Sequence, residues 1–249
     1  MLAQSRSAAA TGRGIRVILA LVLTGAVAGC GPRRADVPPP APADAAQLPA
    51  ASIPAGATLY AIDAERSVVT LRVYRAGRLA KLGHNHVVTS AGETGYVWTQ
   101  ATPQASGFEV RIAVAELVVD DPAARAAAGD DFPGTLPDAA REGTRANMLR
   151  PEVLDGERFP LIVVGADSLG GTWERPTVTA RVTLKGQTRQ IDLPLEISRE
   201  EGSIVARGAF SVLQSDFGIT PFSVGGGAIQ VADAVAVAFE IHASRAPRP

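Results

Sequence analysis

The sequence predicts a mainly β protein built on a large antiparallel sheet with one short helical insertion. Three observations carry this reading. Apolar residues recur at every second position in segment after segment, which places them on one face of a strand. Glycines at 107, 186, 202 and 208 punctuate or bend those segments. One stretch, 120–155, breaks the alternation with a polar, alanine-rich composition.

Taken from the N-terminus, residues 1–29 read as a secretory leader. Arg6, Arg13 and Arg16 make it positive, Ile15 to Val22 is nearly all apolar, and Ala26, Ala28 and Gly29 supply small side chains near a cleavage point. The apolar run is shorter than the about 20 residues a membrane-spanning helix needs. It ends at Cys30, the only cysteine of the chain, and this arrangement resembles a bacterial lipoprotein signal. The expected product is cut before Cys30, with its thiol carrying lipid and its amine acylated, palmitate being the expected acyl group. An ordinary signal peptide with a chance cysteine is the alternative, and either one implies export.

Residues 30–57 form the next element. Seven prolines and nine alanines fall within 31–57, and proline lacks the N–H that sheets and helix interiors use. The segment reads as an extended tether between lipid anchor and body, with a reach of up to roughly 80 Å at about 3 Å per residue. The folded body is expected over 58–245, and 246–249 as a loose tail. Removing the leader shifts the formal charge from -1 to -4, which gives no support to nucleic-acid binding. No cysteine is left for an internal disulfide, so the body depends on its own core. Aromatic residues make up only 5% of the chain, so that core is mainly Val, Ile, Leu and Ala.

Within the body, Val69, Leu71 and Val73 alternate with Thr70, Arg72 and Tyr74. Phe108, Val110, Ile112 and Val114 alternate with Glu109, Arg111, Ala113 and Ala115. Val235, Val237, Phe239 and Ile241 alternate with Ala236, Ala238, Glu240 and His242. Further strands are expected near 93–99, 160–168, 176–184, 190–198 and 203–212. The insertion at 120–155 predicts one or two short helices crossing an end of the sheet, with Gly143 weakening any long one. A closed barrel or a two-sheet sandwich satisfies this alternation equally well.

The order of these elements resembles the YceI-like family of exported, lipocalin-like proteins, also called polyisoprenoid-binding proteins. Tyr60-Ala61-Ile62-Asp63 with Ser67 is similar to the family's opening strand. Thr144 to Leu149, Leu154-Asp155 and Phe159-Pro160 resemble its helical crossing and next strand. Val182-Thr183-Leu184-Lys185-Gly186-Gln187-Thr188 resembles its recurrent hairpin. Phe210-Ser211, Asp216-Phe217-Gly218-Ile219 and Pro221 resemble its late strand and turn. The resemblance spans about 58–242. It implies an extended antiparallel lipocalin-like barrel around an elongated apolar cavity, and a polyisoprenoid or quinone as bound molecule. On that model Val69, Leu71, Val73, Val110, Ile112, Val235 and Val237 are candidate cavity residues, with plain core as the alternative for each.

Leu82-Gly83-His84-Asn85-His86 is the most chemically pointed segment. If it is extended, His84 and His86 share a face and suit either a metal ion or a polar head group. Arg75, Arg78 and Lys81 lie just upstream and favour an anion, so these five residues are candidates for a polar mouth. His242 is the only third imidazole; closure of a barrel would bring it near the other two, with Asp63, Glu93 and Glu240 as possible carboxylate partners. A structural hydrogen-bonding role for the histidines is the third reading.

Other motifs reduce to loops. Asp216-Phe217-Gly218 has no kinase partner motif, and Gly225-Gly226-Gly227 precedes neither a Walker lysine nor a Rossmann helix. Asp120, Asp121, Asp130 and Asp131 do not fit an EF-hand spacing and read as solvated loop acids. No nucleophile elbow accompanies any serine, so the chain is not expected to be an enzyme. The leading expectation is a lipid-anchored, periplasm-facing binding or carrier protein, outer-membrane-associated, for an isoprenoid or similar amphipathic lipid. The alternatives are a metal- or haem-dependent redox accessory protein centred on His84 and His86, and a structural envelope protein with a fully packed interior.

Overall fold

The computed structural model describes residues 53–90 and 92–247; Cys30 and the tether up to residue 52 lie outside them. Two strands open the fold, β1 (Thr58–Ile62) and β2 (Val68–Ala76), followed by β3 (His86–Thr89), β4 (Thr94–Thr99), β5 (Gly107–Ala113) and the short β6 (Val118–Val119). The insertion then forms α1 (Pro122–Ala128) and α2 (Asp138–Met148). The second half returns to strands: β7 (Leu161–Gly171), β8 (Pro176–Leu184), β9 (Gln187–Leu193), β10 (Leu195–Glu200), β11 (Ser203–Leu213), β12 (Ser223–Val224) and the long β13 (Ile229–Arg245).

Local chemistry accounts for the insertion. Asp121 caps α1, its carboxylate accepting the N–H groups of Ala123 and Ala124 at 2.9 and 3.0 Å, with Pro122 at the first helical position. That pairing satisfies donors a helix start otherwise leaves open. Gly143 sits within α2, and the helix holds through it. Asp216-Phe217 closes a 3-10 turn that ends on Gly218 in the left-handed region, φ 66°. That agrees with its reading as a turn.

The expected closed, lipocalin-like barrel is not what forms. All strands belong to one antiparallel sheet whose ladder runs β9-β8-β7-β5-β4-β1-β13. At β13 it branches, to β2, β3 and β6 on one side and to β11 and β10 on the other. No ladder joins β9 to β10 or β11 among the described residues, so the sheet stays open. Pro194 explains the break, because it has no N–H to donate. Leu193 still pairs with Val178 on β8, whereas Leu195 pairs with Gly208 on β11. A Cβ on Gly208 would lie 2.4 Å from the Pro194 carbonyl oxygen and 2.7 Å from the Phe239 ring. Only glycine fits where the chain changes partner strand. The expected strand at 190–198 is therefore two strands, split at its proline.

The sheet nevertheless curls around one interior. The main core cluster joins Val88, Val110, Ile112, Val119, Val182 and Phe217, with Met148 and Leu149 of the α2 end packed against it. A smaller cluster of Val178, Ala180 and Leu193 extends the apolar surface. β13 carries a register shift between Val231 and Val235. Asp233 in that bulge accepts the backbone N–H and the hydroxyl of Ser215 at 2.8 and 2.5 Å, which pins the bend.

Candidate functional site

A cavity of about 380 Å³ runs through the interior of the curled sheet, within the size range of small-molecule sites. Its wall is almost wholly apolar. β2 supplies Val69, Leu71 and Val73; β5 supplies Val110 and Ile112; β13 supplies Val235 and Val237. The period of two puts these residues on the inner face, since every second side chain of a strand points the same way. β13 lines the cavity from Val231 to Ile241, a strand length of roughly 30 Å at about 3.3 Å per residue. Val110 and Ile112 are also members of the main core cluster. At those positions, lining and core are the same residues.

One polar corner stands out. His86, at the start of β3, faces the cavity, and its Nδ1 lies 2.6 Å from the Asp120 carboxylate. Asp120 is fully buried. Its other oxygen accepts the Val87 N–H at 3.0 Å and an Arg125 guanidinium N–H at 2.6 Å. Arg125, 2% exposed, also donates to the carbonyls of Asn85, Gly134 and Pro133. Burial pushes the Asp120 carboxyl up, but the hydrogen bonds from His86, Val87 and Arg125 together outweigh it and hold it below the ordinary carboxylate value. Asp120 is thus a buried, ion-paired acid, and its reading as a solvated loop acid is corrected. Asp121 is a helix cap. What fixes His86 is long-range, and Asp120 and Arg125 carried no sequence signal beyond the Asp121-Pro122 helix start.

The other candidate residues fall outside the cavity. His84 precedes β3, is exposed and does not line the cavity. Partial burial lowers its pKa first, and the charges of His86, Arg125 and Arg75 lower it further. Arg75, Arg78 and Lys81 are exposed on and beside the 77–83 turn. Asn85 between the two histidines is a latch: its side-chain Oδ1 accepts the Arg75 backbone N–H at 3.0 Å and its Nδ2 donates to the Asp131 backbone carbonyl at 2.8 Å.

His242 is not brought to the other histidines. It pairs with Glu240 at 2.7 Å, and His86 sits opposite Val73, which is opposite Val235, seven residues earlier on β13. That register separates them by roughly 20 Å along the strand direction. Since the sheet does not close, no contact shortens that path. Of the proposed carboxylate partners, Asp63 caps a turn, and Glu240 also pairs with Arg207. The Arg207 bond, then the His242 bond, pull the Glu240 pKa down to about 2. No group of three or more His, Cys, Asp or Glu able to hold a metal ion occurs among the described residues.

Glu93, the third carboxylate candidate, has an environment that the sequence does not reveal. It is fully buried, accepts the Ser90 hydroxyl on Oε1, and leaves Oε2 without a hydrogen-bond partner. Burial raises its pKa above the ordinary value. Ser90 in turn lines the cavity, so a second polar point lies behind the wall at the far end of β3.

Residues 60–243 match the model of a YceI-like domain. BcnA of Burkholderia cenocepacia is similar in structure, with a TM-score of 0.53 at 16% identity, covering 74% of this chain and 99% of that one. A polyisoprenoid-binding domain from Saccharophagus degradans, described as implicated in plant cell wall breakdown, gives a TM-score of 0.50 at 12% identity, covering 75% and 98%. At these identities the likeness concerns fold. No curated protein sequence matches the chain.

Proposed function

The chain belongs to the YceI-like family, and from that premise we propose that it is a periplasm-facing carrier for an isoprenoid or similar amphipathic lipid. The family is one of non-catalytic lipid-binding proteins, and the carrier reading assigns this member its ligand class. The observation that carries it is the cavity, lined by Val69, Leu71, Val73, Val110, Ile112, Val235 and Val237. A ten-carbon stretch moved from water into such a space gains about 8 kcal/mol, at about 0.8 kcal/mol per methylene, before the cost of ordering it. An elongated cavity suits a chain better than a compact molecule. His86 gives the apolar wall a polar corner, oriented by Asp120, where a head group such as a quinone ring or prenyl oxygen would sit.

In this proposal Cys30 carries the lipid that holds the protein to the envelope, with outer-membrane association, and the proline-rich tether sets its reach. Cys30→Ala is expected to move the protein from the membrane fraction to the soluble one; unchanged fractionation would remove the anchor. Carrier function is tested by titrating the full chain with an apolar fluorescent probe. Saturable uptake, displaced by a polyprenyl alcohol and lost in Val237→Trp, is expected. Uptake that never saturates, or that survives the blocked cavity, would contradict it.

A further inference from the structure

The turn at 77–83 has a feature that cavity binding does not use. Leu79 and Leu82 are 49% and 70% exposed, and each directly follows an exposed cation, Arg78 and Lys81. The neighbouring 224–229 turn adds Val224, 45% exposed. The two turns form one braced rim: the Leu79 N–H donates to the Ala228 carbonyl at 2.8 Å. Gly77, φ +92°, makes this approach possible, because a Cβ there would lie 2.6 Å from that same oxygen. The leucines are held outward by backbone that is itself hydrogen-bonded. Among the described residues, the Arg78 and Lys81 side chains make no hydrogen bond or ion pair. Arg75 commits one N–H to the Gly83 carbonyl. The exposed acids Asp130 and Asp131 border the rim on the side of Asn85.

We propose that this rim docks on an anionic lipid bilayer, Leu79 and Leu82 entering its interfacial layer while Arg75, Arg78 and Lys81 meet lipid phosphates. Exposed leucines interleaved with uncommitted cations match the chemistry of a membrane interface, which offers apolar and anionic groups within a few ångströms of each other. The rim adjoins the cavity end marked by His86 and Phe222. Its use, to set that end against the layer where an amphipathic lipid resides, rests on the carrier reading; the docking itself does not.

The test uses the full chain carrying Cys30→Ala, so that no N-terminal lipid contributes, with Leu82→Trp as the reporter. Emission from Trp98 and Trp173 is subtracted using the same chain without the reporter. Vesicles of phosphatidylcholine with phosphatidylglycerol are expected to shift the new indole's emission to the blue, and phosphatidylcholine alone to do so far less. Adding Arg78→Gln and Lys81→Gln should weaken partition about 25-fold, at about fivefold per basic residue near an anionic surface. No shift, or an equal shift with neutral and anionic vesicles, would overturn docking. A vesicle-independent shift that grows with protein concentration would also overturn it, and assign the rim to a second copy of the chain. Docking without probe uptake would retire the carrier reading and leave docking standing.

Discussion

Replacing Asp120 with Asn keeps the side-chain shape and removes one charge from the His86–Asp120–Arg125 chain. In the parent, Asp120 accepts bonds of 2.6 Å from Arg125 and 3.0 Å from Val87, with His86 Nδ1 at 2.6 Å. Without the carboxylate, Arg125 stays 2% exposed with only neutral acceptors to face, the new amide oxygen and the Asn85, Gly134 and Pro133 carbonyls. An uncompensated buried charge costs about 3–5 kcal/mol. For a domain of this size each kcal/mol corresponds to about 2–4 °C, so Tm should fall by about 6–20 °C. Adding Arg125→Met removes the stranded cation, and the double variant should recover part of the loss, since apolar replacement of a whole pair is often near neutral. Urea and thermal unfolding of the four proteins in the cycle measure this. The pair also has a pH signature. Because the folded Asp120 pKa lies below the ordinary 3.8, its stabilisation is complete above that value and is lost as pH falls through the lower folded one. A single-variant loss below about 1 kcal/mol, with additive effects in the cycle, would refute the reasoning.

Two further outcomes test the interior. Glu93 has a folded pKa above its ordinary value, so the folded state keeps a proton that the unfolded chain has released, and stability falls as pH rises from about 4.5. Unfolding measured across pH should show this decline in the parent and lose it in Glu93→Gln; parallel profiles would contradict the burial argument. Val237→Trp adds a large ring to an inner-face position. In a packed core such overpacking costs about 1–3 kcal/mol, whereas insertion into open space should cost under about 1 kcal/mol by chemical denaturation. A larger loss would mean that the interior is filled.

Much of the sheet was legible because period-two patterning is local. The alternation at 69–73, 108–112 and 235–241 marked the inner face, and all seven cavity candidates line it. Closure was not legible. It depends on which strands exchange hydrogen bonds, and the chain changes partner strand from β8 to β11 across Pro194. The site was half legible for a similar reason. His86 was visible as an imidazole among bases, but its partner Asp120 lies 34 positions away and meets it only through folding, as does Arg125, which pairs with Asp120. Buried acids such as Glu93 resemble solvated ones until a fold removes the water around them. His84 and His86 appeared equivalent because both were assumed to lie in one strand, yet β3 begins at His86.

Native mass spectrometry of the chain, purified gently from the envelope in which it is made, tests the central claim most directly. A carrier should retain an apolar molecule at one copy per chain, released on unfolding and identifiable as a prenyl chain with a small polar head. The same preparation of Val237→Trp should lack it. A parent chain that shows only its own mass, and gains none when offered polyprenyl alcohols or quinones, would contradict the account.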